Sequence, residues 1–258
     1  MTGRFRFAPW KVLVVVSLLA AGATVAATAI AGSGDVETKS EHWGVVTRNT
    51  IGSPVAALRD GPYGSFGHTG DTAEPPFGKG SLGIEVANSA ALTEKASFGN
   101  EVDFFGQNTL TMTQVGFRVF QTGENIGYGG QNNLPNLTLE IDANLNTLPA
   151  DNYTSMVWVP NGTGLVPDEW SGYIDATTNG YWYFTGAEGG ATSCTPATQC
   201  SFTQAMTALN DGGDTPVTYT FQVGKGRDSM WIGAVDGVRY NGKIYDFEAD
   251  GVKMRGAK

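Results

Sequence analysis

The sequence predicts an all-β protein: a two-sheet antiparallel β-sandwich of the jelly-roll or concanavalin-like type, with one short helix. Three observations support this fold class. Glycine supplies 36 of the 258 residues, about twice its usual share. Charged residues make up 16%, too few to cover the exposed faces of long helices. About ten short strand-like segments follow one another without a repeat of 20–50 residues, as in a single sandwich.

Apolar and polar residues alternate along most of the predicted strands. Leu82, Ile84 and Val86 fall on one face of the first of them, which is the period of a half-buried strand. Asn179–Gly180 predicts a hairpin between segments 170–175 and 181–185, since Asn-Gly favours the tight turns that join paired strands. The segments predicted as strands are 81–86, 111–121, 136–142, 153–159, 170–175, 181–185, 217–223, 229–235 and 243–248.

One segment has helical periodicity instead. Ser201 and Gln204 have the spacing of a capping box. The apolar residues that follow share one helical face: Phe202, Ala205, Met206 and Leu209. We therefore expect a short helix that crosses the end of a sheet and ends at residues 210–213.

The N-terminus predicts secretion. Arg4, Arg6 and Lys11 precede an uncharged run from Val12 to Ala31 that ends in small residues, the pattern of a secretory signal peptide. The alternative is an uncleaved anchor, because twenty apolar residues are just long enough to span a membrane. We expect a signal peptide at 1–31, an N-terminal lead at 32–60, a β-sandwich domain at 61–258 and an extracellular location.

The cysteine pair agrees with an exported protein. Cys194 and Cys200 are the only cysteines and are separated by five residues. In an oxidising compartment such a pair forms a disulfide that closes a tight loop. A zinc site is the weaker interpretation, since no histidine lies near enough to complete the ligand set.

Charge excludes two classes of partner. The formal net charge is −9 and the sequence pI is about 4.7. Nucleic acids and anionic membrane surfaces are bound through clustered Lys and Arg. We therefore predict no nucleic-acid partner, and no membrane partner once the signal peptide is cleaved.

Catalytic motifs are incomplete. His42 and His68 are the only histidines, and no Gly-x-Ser-x-Gly, phosphate-loop or His-Glu-x-x-His pattern occurs. Segment 140–144 resembles half of the Glu-x-Asp-x-(x)-Glu motif of laminarinase-like retaining glycosidases. If it were one extended strand, Glu140, Asp142 and Asn144 would share a face. Asn144 stands where the second Glu should be, and an amide cannot exchange the catalytic proton. We predict no catalytic residue; a degenerate glycoside hydrolase is the weaker alternative.

Several short motifs, in this order, resemble a family of uncharacterised secreted bacterial β-sandwich proteins. The resemblance covers about two-thirds of the chain and is carried by residues 75–82, 134–142, 170–175 with Trp182, 233–238 and 245–248. It implies an extracellular jelly-roll, concanavalin-like or carbohydrate-binding sandwich. It implies no activity.

Carbohydrate binding is the function that the sequence favours. Sugar rings stack on exposed aromatic side chains beside polar groups, and the predicted hairpin concentrates such residues. The candidates are Trp170, Tyr173, Asp175, Tyr181, Trp182 and Tyr183. In the alternative interpretation Trp182 and Phe184 belong to the core. The expected partner is an extracellular polysaccharide or a cell-wall glycan. A structural or adhesion protein that acts through an exposed sheet edge is the alternative function.

The only cofactor that the sequence suggests is a structural Ca²⁺ ion. Asp211, Asp214 and Asp236 lie among glycine-rich turns and could supply oxygen ligands. No spacing identifies a site, so calcium remains the weaker expectation beside no cofactor at all.

Overall fold

The computed structural model describes residues 37–60, 73–86, 94–149 and 152–257. The predicted signal peptide at 1–31 and His68 lie outside the described residues. Every described residue falls in one compact unit. The strands of this unit, in chain order, are β1 (Thr38–Ser40), β2 (Trp43–Val45), β3 (Val55–Asp60), β4 (Gly80–Val86), β5 (Lys95–Asn100), β6 (Gln107–Asn108), β7 (Val115–Gln121), β8 (Asn136–Asp142), β9 (Tyr153–Val159), β10 (Ile174–Asp175), β11 (Tyr181–Phe184), β12 (Val217–Gly226), β13 (Trp231–Tyr240), β14 (Lys243–Glu248) and β15 (Gly251–Gly256).

These strands form two antiparallel sheets that pack face to face, which confirms the predicted β-sandwich. The eight-stranded sheet has the order β1-β15-β14-β13-β4-β3, with β7 paired to β13 and β10 paired to β7. The seven-stranded sheet has the order β11-β9-β8-β12-β5-β2, with β6 paired to β12. Strands β8 and β12 therefore lie at the centre of the second sheet.

The alternation read from the sequence sets which face of each strand is buried. On β8, Leu137, Leu139 and Ile141 are fully buried in the hydrophobic core between the sheets. Successive side chains on a strand point to opposite faces, so Thr138 and Glu140 point to the outer face of the seven-stranded sheet. That outer face carries the candidate site.

The predicted helix is present as α2 (Phe202–Leu209), with the capping box of Ser201 and Gln204 formed. A second helix, α1 (Gly186–Thr192), precedes it. We did not predict α1, because its three glycines have low intrinsic helix propensity. The predicted disulfide Cys194–Cys200 is confirmed and joins the two helices, with its Cα atoms 5.4 Å apart. Neither helix, and no other in the described ranges, is long and apolar enough to cross a membrane.

The lead predicted at 32–60 belongs in part to the sandwich. β1 pairs with β15, β2 with β5, and β3 with β4, so both sheets receive strands from this segment. Trp43 packs against the core, with its ring centroid 5.1 Å from that of Tyr245. The domain boundary predicted at residue 61 is therefore corrected: the described sandwich begins at β1.

The hairpin predicted at Asn179–Gly180 is wrong. β10 pairs with β7 in the eight-stranded sheet, whereas β11 pairs with β9 in the seven-stranded sheet. The turn therefore carries the chain from one sheet to the other. Gly180 has a φ of +70°, and a Cβ there would lie 2.1 Å from the carbonyl oxygen of Val159. The local turn signal is thus real, but the two strands that it joins do not pair.

Candidate functional site

The turn at residues 176–180, which crosses between the sheets, divides the predicted binding residues. These six residues form the predicted aromatic platform: Trp170, Tyr173, Asp175, Tyr181, Trp182 and Tyr183. Trp170 forms an isolated bridge with Phe120 of β7, and Tyr173 directly precedes β10; both belong to the eight-stranded sheet. Tyr181 and Tyr183 lie on β11 of the seven-stranded sheet. The candidates therefore do not form one surface.

Trp182 is a core residue, which corrects its assignment to a ligand-binding surface. Its side chain has no exposed area and packs in the core cluster. Its indole nitrogen donates to the carbonyl oxygen of Ala176 at 2.8 Å. Tyr181 and Tyr183 alternate with Trp182 and are half-buried on the outer face of the sheet. The alternative interpretation of this strand, in which Trp182 and Phe184 are core, is the one that the structure has.

The remaining platform candidates have structural contacts. The indole nitrogen of Trp170 donates to the carbonyl oxygen of Ala73 at 3.0 Å. The Tyr173 ring lies 4.5 Å from the guanidinium of Arg239. The Asp175 carboxylate accepts from the backbone of the following turn at 2.9 Å. The Tyr173 contact packs this segment on β13 of the eight-stranded sheet, while the Asp175 bond lies within the turn itself.

The three predicted calcium ligands are not brought together. Asp211 and Asp214 lie between α2 and β12, while Asp236 lies on β13 of the other sheet. Asp236 is fully buried and accepts from the backbone nitrogen of Phe247 at 2.9 Å. Burial raises the pKa of the Asp236 carboxyl well above its usual range. Within the described ranges, no group of three or more His, Cys, Asp or Glu side chains could hold a metal ion.

Glu140 is a buried charged group on the outer face of the seven-stranded sheet. Its side chain is 1% exposed and forms an ion pair with Arg48. It also accepts from the side-chain nitrogen of Asn49 at 2.5 Å and from the hydroxyl of Thr220 at 3.3 Å. Burial alone would raise the pKa of the Glu140 carboxyl, but hydrogen bonds from Tyr153, Asn49 and Arg48 lower it. Glu140 is therefore a fixed carboxylate at the centre of this face.

Asn144 does not continue the line of Glu140 and Asp142, which corrects the expectation of one extended strand. β8 ends at Asp142, and Asn144 has a φ of +49°, which turns the chain away from the strand. Its side-chain nitrogen donates to the carbonyl oxygen of Thr215 at 2.7 Å. The spacing of the half-motif therefore does not translate into three side chains on one face.

Sequence reasoning missed a row of three aromatic rings on this same outer face. Tyr219 lies between Phe105 and Tyr153, with centroid distances of 5.6 and 6.2 Å and interplanar angles of 28° and 17°. Phe105 is 65% exposed and Tyr153 is 51% exposed. Carbon atoms in contact are about 3.5–4 Å apart, so rings with such centroid distances are offset from one another.

A β-bulge places Tyr219 in this aromatic row. On β12, Thr218 pairs with Ile141 and Thr220 pairs with Glu140, so the register shifts by one residue at Tyr219. Such bulges re-aim a side chain at the edge of a ladder. The Tyr219 hydroxyl donates to Asp142 at 3.4 Å. Nothing in the alternation of 217–223 indicates the bulge, which is why the row was not predicted.

His42 lies in the turn between β1 and β2 and contacts a carboxylate. Its Nδ1 is 2.6 Å from Asp103. The Ser40 hydroxyl donates to the other oxygen of Asp103 at 3.0 Å. Burial alone would raise the pKa of Asp103, but hydrogen bonds from Asn100, His42 and Ser40 lower it. The Asp103 carboxylate thus ties the β1–β2 turn to the end of β5.

Comparisons with known proteins assign no function to the chain. No family model matches it, and no curated protein or solved structure matches it significantly. The family resemblance seen in the sequence therefore remains a prediction. A function for this protein has to be inferred from the contacts, burial and charge of the described residues.

Proposed function

We propose that this protein is an extracellular, non-catalytic carbohydrate-binding module whose glycan lies along the aromatic row of Phe105, Tyr219 and Tyr153. The observation that carries the proposal is the row itself. Three offset rings, two of them more than half exposed, lie beside the carboxylates of Asp142 and Glu140. Large exposed aromatic groups on a sheet face are characteristic of a binding surface.

The chemistry of the row suits a sugar. One face of a pyranose ring carries C–H groups that pack on an aromatic ring, while its hydroxyls need polar partners at the edge. Tyrosine supplies both an apolar ring and a hydroxyl. Asp142 accepts from the Tyr219 hydroxyl on the same face, so a carboxylate lies beside the central ring. A glycan chain would stack along the rings, and its hydroxyls would donate hydrogen bonds to the carboxylate oxygens of Asp142.

The row is held in place before any ligand arrives. Tyr153 donates a hydrogen bond to Glu140, whose carboxylate also pairs with Arg48. The bulge on β12 fixes the backbone of Tyr219. Because ordering a mobile side chain costs binding free energy, a site built from fixed rings binds more tightly than one on a mobile loop.

Export rests on two features. The basic and apolar N-terminal residues have the pattern of a signal peptide. The disulfide Cys194–Cys200 forms in oxidising compartments and is rare in the cytosol. Extracellular and cell-wall glycans are the carbohydrates that an exported module would meet.

Affinity electrophoresis in gels that contain β-glucan, xylan, mannan or solubilised chitin tests the proposal. We expect retention by at least one polysaccharide. Tyr219→Ala and Tyr153→Ala should each weaken binding about tenfold, because truncating a central aromatic anchor costs at least about 1.4 kcal/mol. Tyr128→Ala is the matched control: it is 38% exposed, and its carbonyl oxygen accepts from Asn133 before the start of β8, whereas Asp142 is the last residue of that strand.

Two results would contradict carbohydrate binding at the row. The first is the absence of retention on every polysaccharide, and an oligomer on a sizing column would then favour a structural protein. The second is retention that Tyr219→Ala and Tyr153→Ala leave unchanged, because the glycan would then lie elsewhere on the molecule.

A further inference from the structure

A polar cavity is lined by residues that follow Asp142 and precede Tyr153 in the chain. It has a volume of about 460 Å³ and lies where β8 ends and β9 begins. Such a volume is in the range of small-ligand sites. Its lining includes the side chains of Asn144, Asn146, Asn152, Asp214, Leu145 and Leu148.

Contacts connect this cavity with the row. Asp142 accepts from the Tyr219 hydroxyl through one oxygen and from the backbone nitrogen of Asn144 through the other, at 3.4 and 3.2 Å. Asn152 lines the cavity and directly precedes Tyr153. The cavity and the row are thus linked through Asp142 and through the start of β9.

Most hydrogen-bond donors around the cavity already have partners. The side-chain nitrogens of Asn144 and Asn146 donate to the carbonyl oxygens of Thr215 and Asp211, at 2.7 and 3.3 Å. The Asp211 carboxylate accepts from the backbone nitrogens of Asn146 and Gly213, at 2.7 and 3.0 Å. One oxygen of Asp211 thus ties its loop to the segment that follows β8, and the other accepts within its own loop.

The acceptors, in contrast, remain open. In the described part of the chain, no hydrogen bond or ion pair engages Asp214 or the side-chain oxygens of Asn144 and Asn146. Gly213 leaves room for them, because a Cβ there would lie 2.8 Å from the side-chain oxygen of Asn146. The cavity therefore offers a carboxylate and two amide oxygens to a ligand that donates hydrogen bonds.

We propose that this cavity binds an amino-sugar unit, with the ammonium group donating to Asp214 and the hydroxyls donating to Asn144 and Asn146. This inference rests on the proposed carbohydrate binding along the row. Leu145 and Leu148 supply apolar surface for the C–H face of the sugar. The formal net charge of −9 favours a cationic glycan over uronates or sulfated sugars.

Isothermal titration with three tetrasaccharides tests the inference: a glucosamine, an N-acetylglucosamine and a glucose oligomer, at a pH where the amine is protonated. We expect the glucosamine oligomer to bind about tenfold more tightly than the glucose oligomer, because a hydrogen bond between charged partners is stronger than a neutral one. Asp214→Asn should remove this preference. Asp250→Asn is the control, since Asp250 is 78% exposed between β14 and β15 of the other sheet and should leave the preference intact.

The outcomes separate this inference from the proposal on which it rests. Tyr219→Ala should weaken all three oligomers by a similar factor and leave the preference unchanged. Equal binding of the glucosamine and glucose oligomers, with loss in Tyr219→Ala, overturns the amino-sugar site and leaves the row intact. A preference that a chelator abolishes and Ca²⁺ restores also overturns it, because the open oxygens would then be calcium ligands. Binding that Tyr219→Ala does not affect overturns the row itself.

Discussion

Replacement of Trp182 by alanine should destabilise the protein without touching a ligand site. Trp182 is fully buried, and its ring centroid lies 5.7 Å from that of Phe202 and 6.5 Å from that of Trp158. Its backbone exchanges two hydrogen bonds with Cys200, at 2.7 and 3.0 Å. The Trp182 side chain therefore packs the edge of the seven-stranded sheet against α2, while its backbone pairs with the disulfide residue Cys200.

The expected loss follows from these contacts. Truncation of a buried aromatic side chain to alanine costs about 3–5 kcal/mol. Part of that loss comes from the carbonyl oxygen of Ala176, which would lack its donor in the variant; an unpaired buried group costs about 1–3 kcal/mol. Trp182→Phe keeps most of the side-chain volume and removes the indole N–H donor. The free energy of unfolding should therefore fall by about 1–3 kcal/mol.

Urea unfolding at equilibrium, followed by the fluorescence of the remaining tryptophans, measures both variants. The midpoint should fall in the order wild type, Trp182→Phe, Trp182→Ala, with an unchanged dependence on urea concentration. As long as the variants are folded, their affinity for a polysaccharide that retains the wild-type protein should stay at the wild-type value. A Trp182→Ala variant within about 1 kcal/mol of the wild type, or one that stays folded but loses glycan binding, would refute the burial argument.

Two further predictions concern pH. The pKa of Glu140 is lower in the folded protein than in the unfolded chain. The ionised Glu140 therefore stabilises the fold above its unfolded pKa of about 4.3, and this stabilisation is lost as the pH falls through the lower pKa of the folded state. Glu140→Gln should cost about 1–3 kcal/mol at neutral pH, and urea unfolding near pH 3 should show a smaller difference from the wild type; an equal difference at both pH values would contradict this. Asp246 acts in the opposite direction, because burial raises its pKa to about 6. The protonated carboxyl is the form that the fold favours, so the stability that it contributes is lost as the pH rises from about 4 to about 6. Asp246→Asn should lack that loss in a pH series of unfolding free energies, and a slope equal to that of the wild type would count against it.

The alternation of apolar and polar residues predicted the central strands, because one face of each strand lies in the core and the other lies on the outer face of the sheet. Leu137, Leu139 and Ile141 alternate with polar residues on the predicted strand 136–142, and all three are buried. Such a pattern fixes the register of a strand, since a shift by one residue would expose every apolar side chain. Glu140 could therefore be placed on the outer face from the sequence alone.

Pairing between strands was less predictable, because a turn signal is local and a sheet is not. Asn179–Gly180 forms a tight turn, but the flanking strands enter different sheets. The six candidates of the aromatic platform were grouped on the assumption of a hairpin. Once β10 and β11 separate, the group has no common surface.

The aromatic row was missed for a related reason. Tyr153 was visible at the start of a predicted strand, but Phe105 lies in the turn that follows β5 and Tyr219 lies on a bulge. Both are brought to the outer face by long-range pairing of β12 with β8 and β5. Apolar alternation carries no information about such an extra residue.

Nuclear magnetic resonance mapping of a bound oligosaccharide tests the central claim most directly. The probe is an oligomer of the polysaccharide that retains the wild-type protein most strongly. Carbohydrate binding at the row predicts that the largest shift changes fall on Phe105, Asp142, Tyr153 and Tyr219, on the outer face of the seven-stranded sheet. Shift changes centred on Trp170 and Tyr173 of the eight-stranded sheet, with none along the row, would contradict it.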